Sequence, residues 1–319
     1  MTYMMRGFGL TISSDFPLAQ MRKAPDTGEP DVKIISAPAP SELVREPIRT
    51  WPDCILGRKE MWTEIENVVR LYAANGNEIR VERLFTDPAR EGEMQAYVTG
   101  LALGAILHQR GAVPMHGSCV ARDGKGILIT GVSGAGKSSL SAEALRRGYR
   151  LVTDDVTPIR LENGKVLAEP SFPQQKLWED AIDRGGSWDM KDHPVFKEES
   201  RTKFAMDVGD SFLDETVELI GVLQLIPKEG EQGDRPLLKE VTGLEKAVLL
   251  QIHTYRTYLL VTAEDRQTHF QKCASCASHL SEAHLFRYEG TSEAELWDKT
   301  EEFIYEYNSI LQKRRSDHS

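Results

Sequence analysis

The chain has 319 residues and a formal net charge of −10, from 39 Lys and Arg against 49 Asp and Glu. At roughly 150 residues per domain this length predicts about two domains, and 40% hydrophobic with 28% charged residues is too apolar for a disordered chain. The acidic balance speaks against nucleic acid or an anionic membrane as the main partner, because both need a basic footprint. An anionic ligand would need a local site that holds it against the global field. The opening MTYMMRGFGL has no apolar stretch of signal-peptide length, and no run approaches the ~20 apolar residues of a membrane span. Four cysteines, Cys54, Cys119, Cys273 and Cys276, are too few and too uneven for a disulfide framework. The expected location is the cytoplasm.

Residues 1–90 carry short β-prone runs, Phe8 to Ser13, Val32 to Ser36 and Ile79 to Leu84, between turn-rich stretches such as KAPDTGEPD and SAPAPSE. This pattern predicts a small sheet with long connections. Over 92–110, Met94, Val98, Leu101 and Ile106 recur at helical spacing and Gly111 follows as a C-cap, so a helix is expected. The domain boundary is placed there: a β-rich N-terminal domain over 1–105 that ends in this connecting helix, and a second domain over 106–319. From Val113 strands and helices alternate. Gly126–Thr130 reads as a strand, Ser138–Arg147 as a helix stopped by Gly148, and Tyr149–Thr153 as a strand ending in Asp154 and Asp155. That succession predicts a βαβ unit with a parallel pair, hence an α/β fold. Residues 183–202 have no usable periodicity and many charges, and read as a mobile loop able to close over a substrate. Strand patterns resume at Lys203 and over Val217–Leu225. Helices are expected over Leu244–Ile252, Asp265–Leu280 and Glu293–Lys313, the last with a stripe of Leu296, Phe303, Ile304, Tyr307, Ile310 and Leu311.

The strongest chemical signal is GVSGAGKS, Gly131 to Ser138, which fits G-x-x-x-x-G-K-S/T with a strand before it and a helix after it. Gly131, Gly134 and Gly136 allow backbone turns that point successive N–H groups at phosphate oxygens, with Ser133 and Ala135 between them and Ser139 completing the first helical turn. The helix beginning at Lys137 adds its positive end. Lys137 is expected to reach the β- and γ-phosphates of a nucleotide such as ATP, and the Ser138 hydroxyl to ligate Mg²⁺. Asp154 and Asp155 end a strand, where ligands of α/β sheets bind. Successive strand residues point to opposite sides, so one acid could hold the metal and the other accept a proton from an attacking hydroxyl. His116, in PMHGSCV, falls on the strand before GILIT.

The set of His116, GVSGAGKSS (131–139) and RRGYRLVTDD (146–155) resembles the HPr kinase/phosphorylase family, whose kinases phosphorylate a serine hydroxyl on a protein. The resemblance implies a P-loop kinase core of the HPr kinase type, a mixed sheet with flanking helices. It implies that Lys137 contacts the phosphates, Ser138 holds Mg²⁺, His116 lies beside the transferring phosphate, and Asp155 takes the serine proton with Asp154 assisting at the metal. PSFPQQKLW (170–178), GLEKAVLLQIHTYR (243–256) and MHGS (115–118) are similar to HPr-kinase-like proteins of peptide natural-product pathways, including kinases of the C-terminal serine of lasso-peptide precursors. A peptide or small-protein partner with an acceptor serine follows, with homo-oligomers a further implication. The family's glutamate-arginine-glycine signature, associated with a second metal contact, has no counterpart, and Glu169, the acid nearest its place, is the candidate for that metal role. Arg201, Lys203 and Arg256 are the candidates for the family's later arginine. Phe172, in a proline-bracketed aromatic loop, reads either as a wall for a peptide or as a core residue. A kinase of a small metabolite and a non-catalytic nucleotide-binding regulatory module remain the alternatives.

Cys273-x-x-Cys276, flanked by His269 and His279, has a metal-like spacing. Four tetrahedral ligands cannot converge from one straight helix, so these cysteines read as small buried apolar residues.

Overall fold

In the computed structural model, which describes residues 1–25, 28–178, 194–198 and 201–316, the strands up to Arg83 form one nine-stranded sheet. For 178, 194–198, 201–203 and 307–316 it is the backbone that is described. The strands are β1 (Tyr3–Gly7), β2 (Leu10–Ser14), β3 (Arg22–Lys23), β4 (Val32–Ser36) and β5 (Pro47–Trp51). They continue with β6 (Cys54–Gly57), β7 (Glu60–Ile65), β8 (Val69–Ala74) and β9 (Glu78–Arg83), in the order β3-β1-β2-β4-β9-β8-β7-β6-β5. The β1–β2 and β8–β9 turns, of two and three residues, place Phe8-Gly9 and Asn75-Gly76 at positive φ, the geometry of tight hairpin turns. This sheet is larger than the three β-prone runs predict, because β5 to β8 are joined by such tight polar turns rather than by long connections.

Helix α1 (Glu91–Tyr97), a π-turn over Val98–Ala102 and helix α2 (Leu103–Gln109) make one continuous rod. Its apolar residues Met94, Val98, Leu101, Leu103 and Ile106 share a core with Ile12, Ile34, Leu71 and Ile79 of the sheet. Gly111, at φ +78°, ends the helix as its sequence predicts.

The second sheet contains β10 (Val113–Arg122), β11 (Lys125–Thr130), β12 (Arg150–Thr153), β13 (Val156–Glu162) and β14 (Lys165–Ala168). The later strands β18 (Val217–Glu231), β19 (Leu238–Val241) and β20 (Ser281–Glu289) complete it. Pairing of β11 with β18 closes a ring through β10, β13 and β14. A third sheet has the order β15 (Gln174–Trp178), β17 (Arg201–Asp207), β16 (Pro194–Glu198). The expected loop over 183–202 therefore contains a strand at its end; its residues 183–193 and 199–200 lie outside the described residues.

One expectation needs correction. Strands β11 and β12 run parallel but are not neighbours: both pair antiparallel with β10, which lies between them. The cause is local. Asp123-Gly124 at φ +54° and +71° folds β10 and β11 into a hairpin, so β10 takes the edge that β12 would have used. The hydrogen-bonded parallel partner of β11 is β18, followed by β20.

Helix α3 (Lys137–Arg146) and the C-terminal helix (Glu293–Ser316) cover one face of this sheet. Leu140, Ala144 and Leu145 meet Leu296, Trp297 and Ile304 there, and the Tyr149 and Trp297 rings pack edge-to-face with centroids 4.9 Å apart. On the other face lie the helices Leu244–Ile252 and Ala263–Ala277. Cys273, Cys276 and Ala277 of the latter are buried in a core with Leu249, Leu250 and Leu280. Thr262 and Asp265 start that helix with a reciprocal capping box. No helix among the described residues is long and apolar enough to cross a membrane.

Candidate functional site

Strand β11 is buried from Gly126 to Thr130 and carries the chain into the Gly131–Gly136 loop. Gly131, Gly134 and Gly136 have φ of +144°, +80° and +97°, conformations that side chains with a Cβ rarely adopt. A Cβ at Gly131 would also press on the Leu225 carbonyl, and one at Gly136 on the Arg287 guanidinium. Gly136 is the N-cap of α3, and the first helical bond runs from Leu140 N–H to its carbonyl at 3.0 Å. The N–H groups of Lys137, Ser138 and Ser139 therefore have no intrahelical acceptor and front the loop. Ser133 and Gly134 are exposed, whereas Ala135 is buried. Lys137 folds its ammonium over the loop, donating to the carbonyls of Gly131 at 2.9 Å and Val132 at 3.2 Å. Fully buried Gln175 of β15 fixes the first turn of α3: its Nε2 donates to the Ser138 carbonyl at 3.2 Å and to Ser141 Oγ at 2.7 Å.

The acidic pair leaves β12 with two different environments. Asp154 is 8% exposed; its Oδ2 accepts the Lys176 backbone N–H at 2.8 Å, and the Ser118 hydroxyl donates to its carbonyl at 2.6 Å. Asp155 is more open, with its Oδ1 3.4 Å from His116 Nδ1 and its Oδ2 3.7 Å from Lys176 Nζ. Strand β10 ties the pair to the loop. Thr130 Oγ1, at the end of β11, donates to the His116 carbonyl at 2.7 Å, and the next residue, Gly117, donates its N–H to the Asp155 carbonyl at 3.1 Å. Phe8, Thr99, Gly100, Phe172 and Lys176 line a small cleft around Asp154 and Asp155, with the Phe8 and Phe172 rings edge-to-face at 5.6 Å.

A further segment closes the site from behind. His253 to Tyr255 lie along β10: the His116 N–H donates to the His253 carbonyl at 2.8 Å, and the Tyr255 N–H to the Pro114 carbonyl at 2.7 Å. Burial, and then the neighbouring His116, Lys137 and His284, push the His253 imidazole down to about 4, so it is neutral at physiological pH. Burial pushes the Tyr255 phenol up, while Arg256 beside it pulls the other way. Arg256 occupies the left-handed region at φ +49° and donates to the hydroxyls of Tyr255 and Tyr258, each at 2.9 Å. Positive φ in a bulky residue costs backbone energy and collects at functional positions.

Of the residues singled out by sequence, the glycine loop, Lys137, Ser138, His116, Asp154, Asp155 and Phe172 share this region. Glu169 does not join them. Its carboxylate pairs with Arg160 and accepts from Thr216 Oγ1 at 2.8 Å, against Gly9 of the first sheet. It is thus held by a cation already and lies outside the cleft around Asp154 and Asp155, so the expected metal role does not fit it. Arg201 and Lys203 contribute backbone to β17, and their side chains lie outside the described residues. Lys176, His253, Tyr255 and Arg287 were not singled out from sequence. The first three lie inside the segments PSFPQQKLW and GLEKAVLLQIHTYR, whereas nothing local marks Arg287.

The fold and the loop define an α/β protein with a glycine loop that opens a helix at the carboxyl ends of parallel strands. Within it, residues 110–178 are HPr-kinase-like: they match the family model described as HPr Serine kinase C-terminal domain. HPr kinase/phosphorylase of Clostridium botulinum (strain Eklund 17B / Type B) is 49% identical over 53 residues, 17% of this chain and 17% of the relative. The protein of the same name from Clostridium tetani is 45% identical over 58 residues, 18% and 19% of the two chains. That from Listeria monocytogenes serotype 4a is 49% identical over 55 residues, 17% and 18%. The matched segments thus span less than a fifth of each of these relatives. A solved structure, the Hpr(Ser) kinase/phosphatase from Coxiella burnetii, aligns with 63% of this chain and 98% of its own at 14% identity and a TM-score of 0.31.

Proposed function

We propose that the protein is a cytoplasmic kinase that moves the γ-phosphoryl group of ATP, with Mg²⁺, onto a serine hydroxyl of a peptide or small protein. The observation that carries this reading is the short link His116–Gly117, which joins the end of β11 at the glycine loop to Asp155 through two hydrogen bonds. A phosphate chain on the loop and a hydroxyl at Asp155 would then meet over His116. Gly131 to Ser139 would cradle the phosphates, and Lys137 would exchange its two loop carbonyls for phosphate oxygens.

The residues fit the metal as well. No cluster of three or more His, Cys, Asp or Glu that could hold a metal ion occurs among the described residues. Mg²⁺ asks for less, since it keeps several waters and takes one or two protein oxygens beside substrate phosphates. Ser138 and Asp154 would supply those oxygens, and the ion would neutralise charge on the phosphates. Asp155 is the more open of the two acids and would accept the hydroxyl proton, with His116 beside the transferring group. Arg256, and Arg201 or Lys203, are proposed to contact phosphate or substrate.

Phe8 and Phe172, with Thr99 beside them, give the approach to Asp155 a partly aromatic wall built in part by the first sheet and its helix, which favours an extended peptide over a free metabolite. We place the division between this β-rich N-terminal part and the kinase core at 105/106. The finer substrate is the C-terminal serine of a lasso-type precursor peptide. The test is incubation with Mg²⁺-ATP and peptides ending in serine, read by mass spectrometry. One added phosphate on the terminal serine is expected. Phosphate on free serine or sugars with none on peptides would favour a metabolite kinase, and ATP binding with no transfer to any acceptor would favour a regulatory module.

A further inference from the structure

Arg287 lies at the end of β20, the third of the parallel strands β11, β18 and β20, whose carboxyl ends share one edge. Its guanidinium reaches the glycine loop, because a Cβ at Gly136 would overlap Arg287 Nη1 and stand 3.3 Å from its Cζ. The side chain is 21% exposed and pairs through Nη2 with Glu293. This placement is electrostatically unusual. Gly136 caps the N-terminus of α3, where the helix presents partial positive charge and favours anions. Lys137 adds a second cation on the same loop. A guanidinium brought against a helix N-terminus meets partial charge of its own sign, and Glu293 pairs with it through Nη2. An anion between Arg287 and the loop would remove the conflict.

We propose that Arg287 is a phosphate-binding residue of the nucleotide site, gripping the part of the phosphate chain that lies on Gly136. The inference rests on the reading of Gly131 to Ser138 as a nucleotide loop. In such loops the backbone amides at this point hold the α- and β-phosphates, whereas the lysine reaches β and γ. Arg287 therefore serves phosphates common to ADP and ATP. Its fork of parallel N–H donors suits phosphate oxygens in a way that a lysine ammonium cannot copy.

The test is calorimetric titration of Mg²⁺-ATP and Mg²⁺-ADP into the full chain and its Arg287→Gln, Arg287→Lys and Lys137→Ala variants. Thermal unfolding without nucleotide checks that each variant is folded. Arg287→Gln should weaken both nucleotides by a similar factor, about tenfold for one charge-assisted contact, and Arg287→Lys should fall between. If wild type binds, Lys137→Ala binds poorly and both Arg287 variants bind within twofold of wild type, the proposal is overturned while the loop assignment stands. If wild type binds neither nucleotide, the loop assignment fails and the proposal with it.

Discussion

Three carboxylates show how differently the fold treats one chemical group. Asp154 is buried, with the Lys176 N–H on its carboxylate and the Ser118 hydroxyl on its carbonyl, so its geometry is fixed before any ligand arrives. Asp155, one residue on, keeps an open side chain beside His116 and Lys176. Glu282 on β20 is fully buried, and neither of its carboxylate oxygens has a hydrogen-bond partner among the described residues. Burial pushes its pKa up to about 8, with Lys246 acting in the opposite sense. A raised folded-state value means that the stabilising protonated form is fully present below the ordinary value of 4.5 and is lost as pH rises through about 8. Glu282→Gln should therefore raise Tm at pH 9 by at least about 2 °C relative to its effect at pH 5. Thermal unfolding at the two pH values measures this; an equal effect at both would contradict it. The roles of Asp154 and Asp155 were legible as alternatives in sequence, because strand alternation sends neighbouring side chains to opposite sides. Which of them is buried was not, since Ser118 and Lys176 arrive from β10 and β15.

At the scale of elements, local signals were legible wherever one segment holds its own information. The helix Leu244–Ile252 spans the residues read from its pattern. The loop's strand-before and helix-after context is present, and Val32–Ser36 is a strand as expected. The helix Ala263–Ala277 stops three residues short of the expected end, and Leu280 enters the core from the connection that follows. Its start is secured by Thr262, whose Oγ1 accepts the Asp265 N–H at 3.0 Å. Thr262→Ala should cost about 1 kcal/mol, a Tm loss of roughly 2–4 °C in a chain of this size. An unchanged Tm would show that packing of Cys273 and Cys276, rather than the cap, holds this end. The neighbour relation of β11 and β12 was not legible, because a hairpin and a βαβ unit compete for the same sheet edge and only the assembled sheet decides.

Across the whole molecule, a net charge of −10 coexists with a glycine loop that opens a helix. The N-terminus of α3, Lys137 and Arg287 bring positive charge to this loop. An acidic exterior also accepts a neutral or basic peptide more readily than an acidic one. The first sheet is part of the site through Phe8, and the rod of α1, π-turn and α2 through Thr99 and Gly100. Arg287 belongs to the glycine loop although it is 151 residues beyond Gly136 in the chain. No spacing pattern connects them; parallel stacking of β11, β18 and β20 does. In the proposed reaction one residue, Asp155, activates the acceptor hydroxyl while a separate loop binds the nucleotide. Asp155→Asn tests it most directly, by comparing nucleotide affinity with the rate of phosphate transfer to a serine peptide in the same preparation. Affinity should stay within about twofold while transfer falls by about 10²–10⁴, the range of a lost general base. Transfer at the wild-type rate by Asp155→Asn would contradict it.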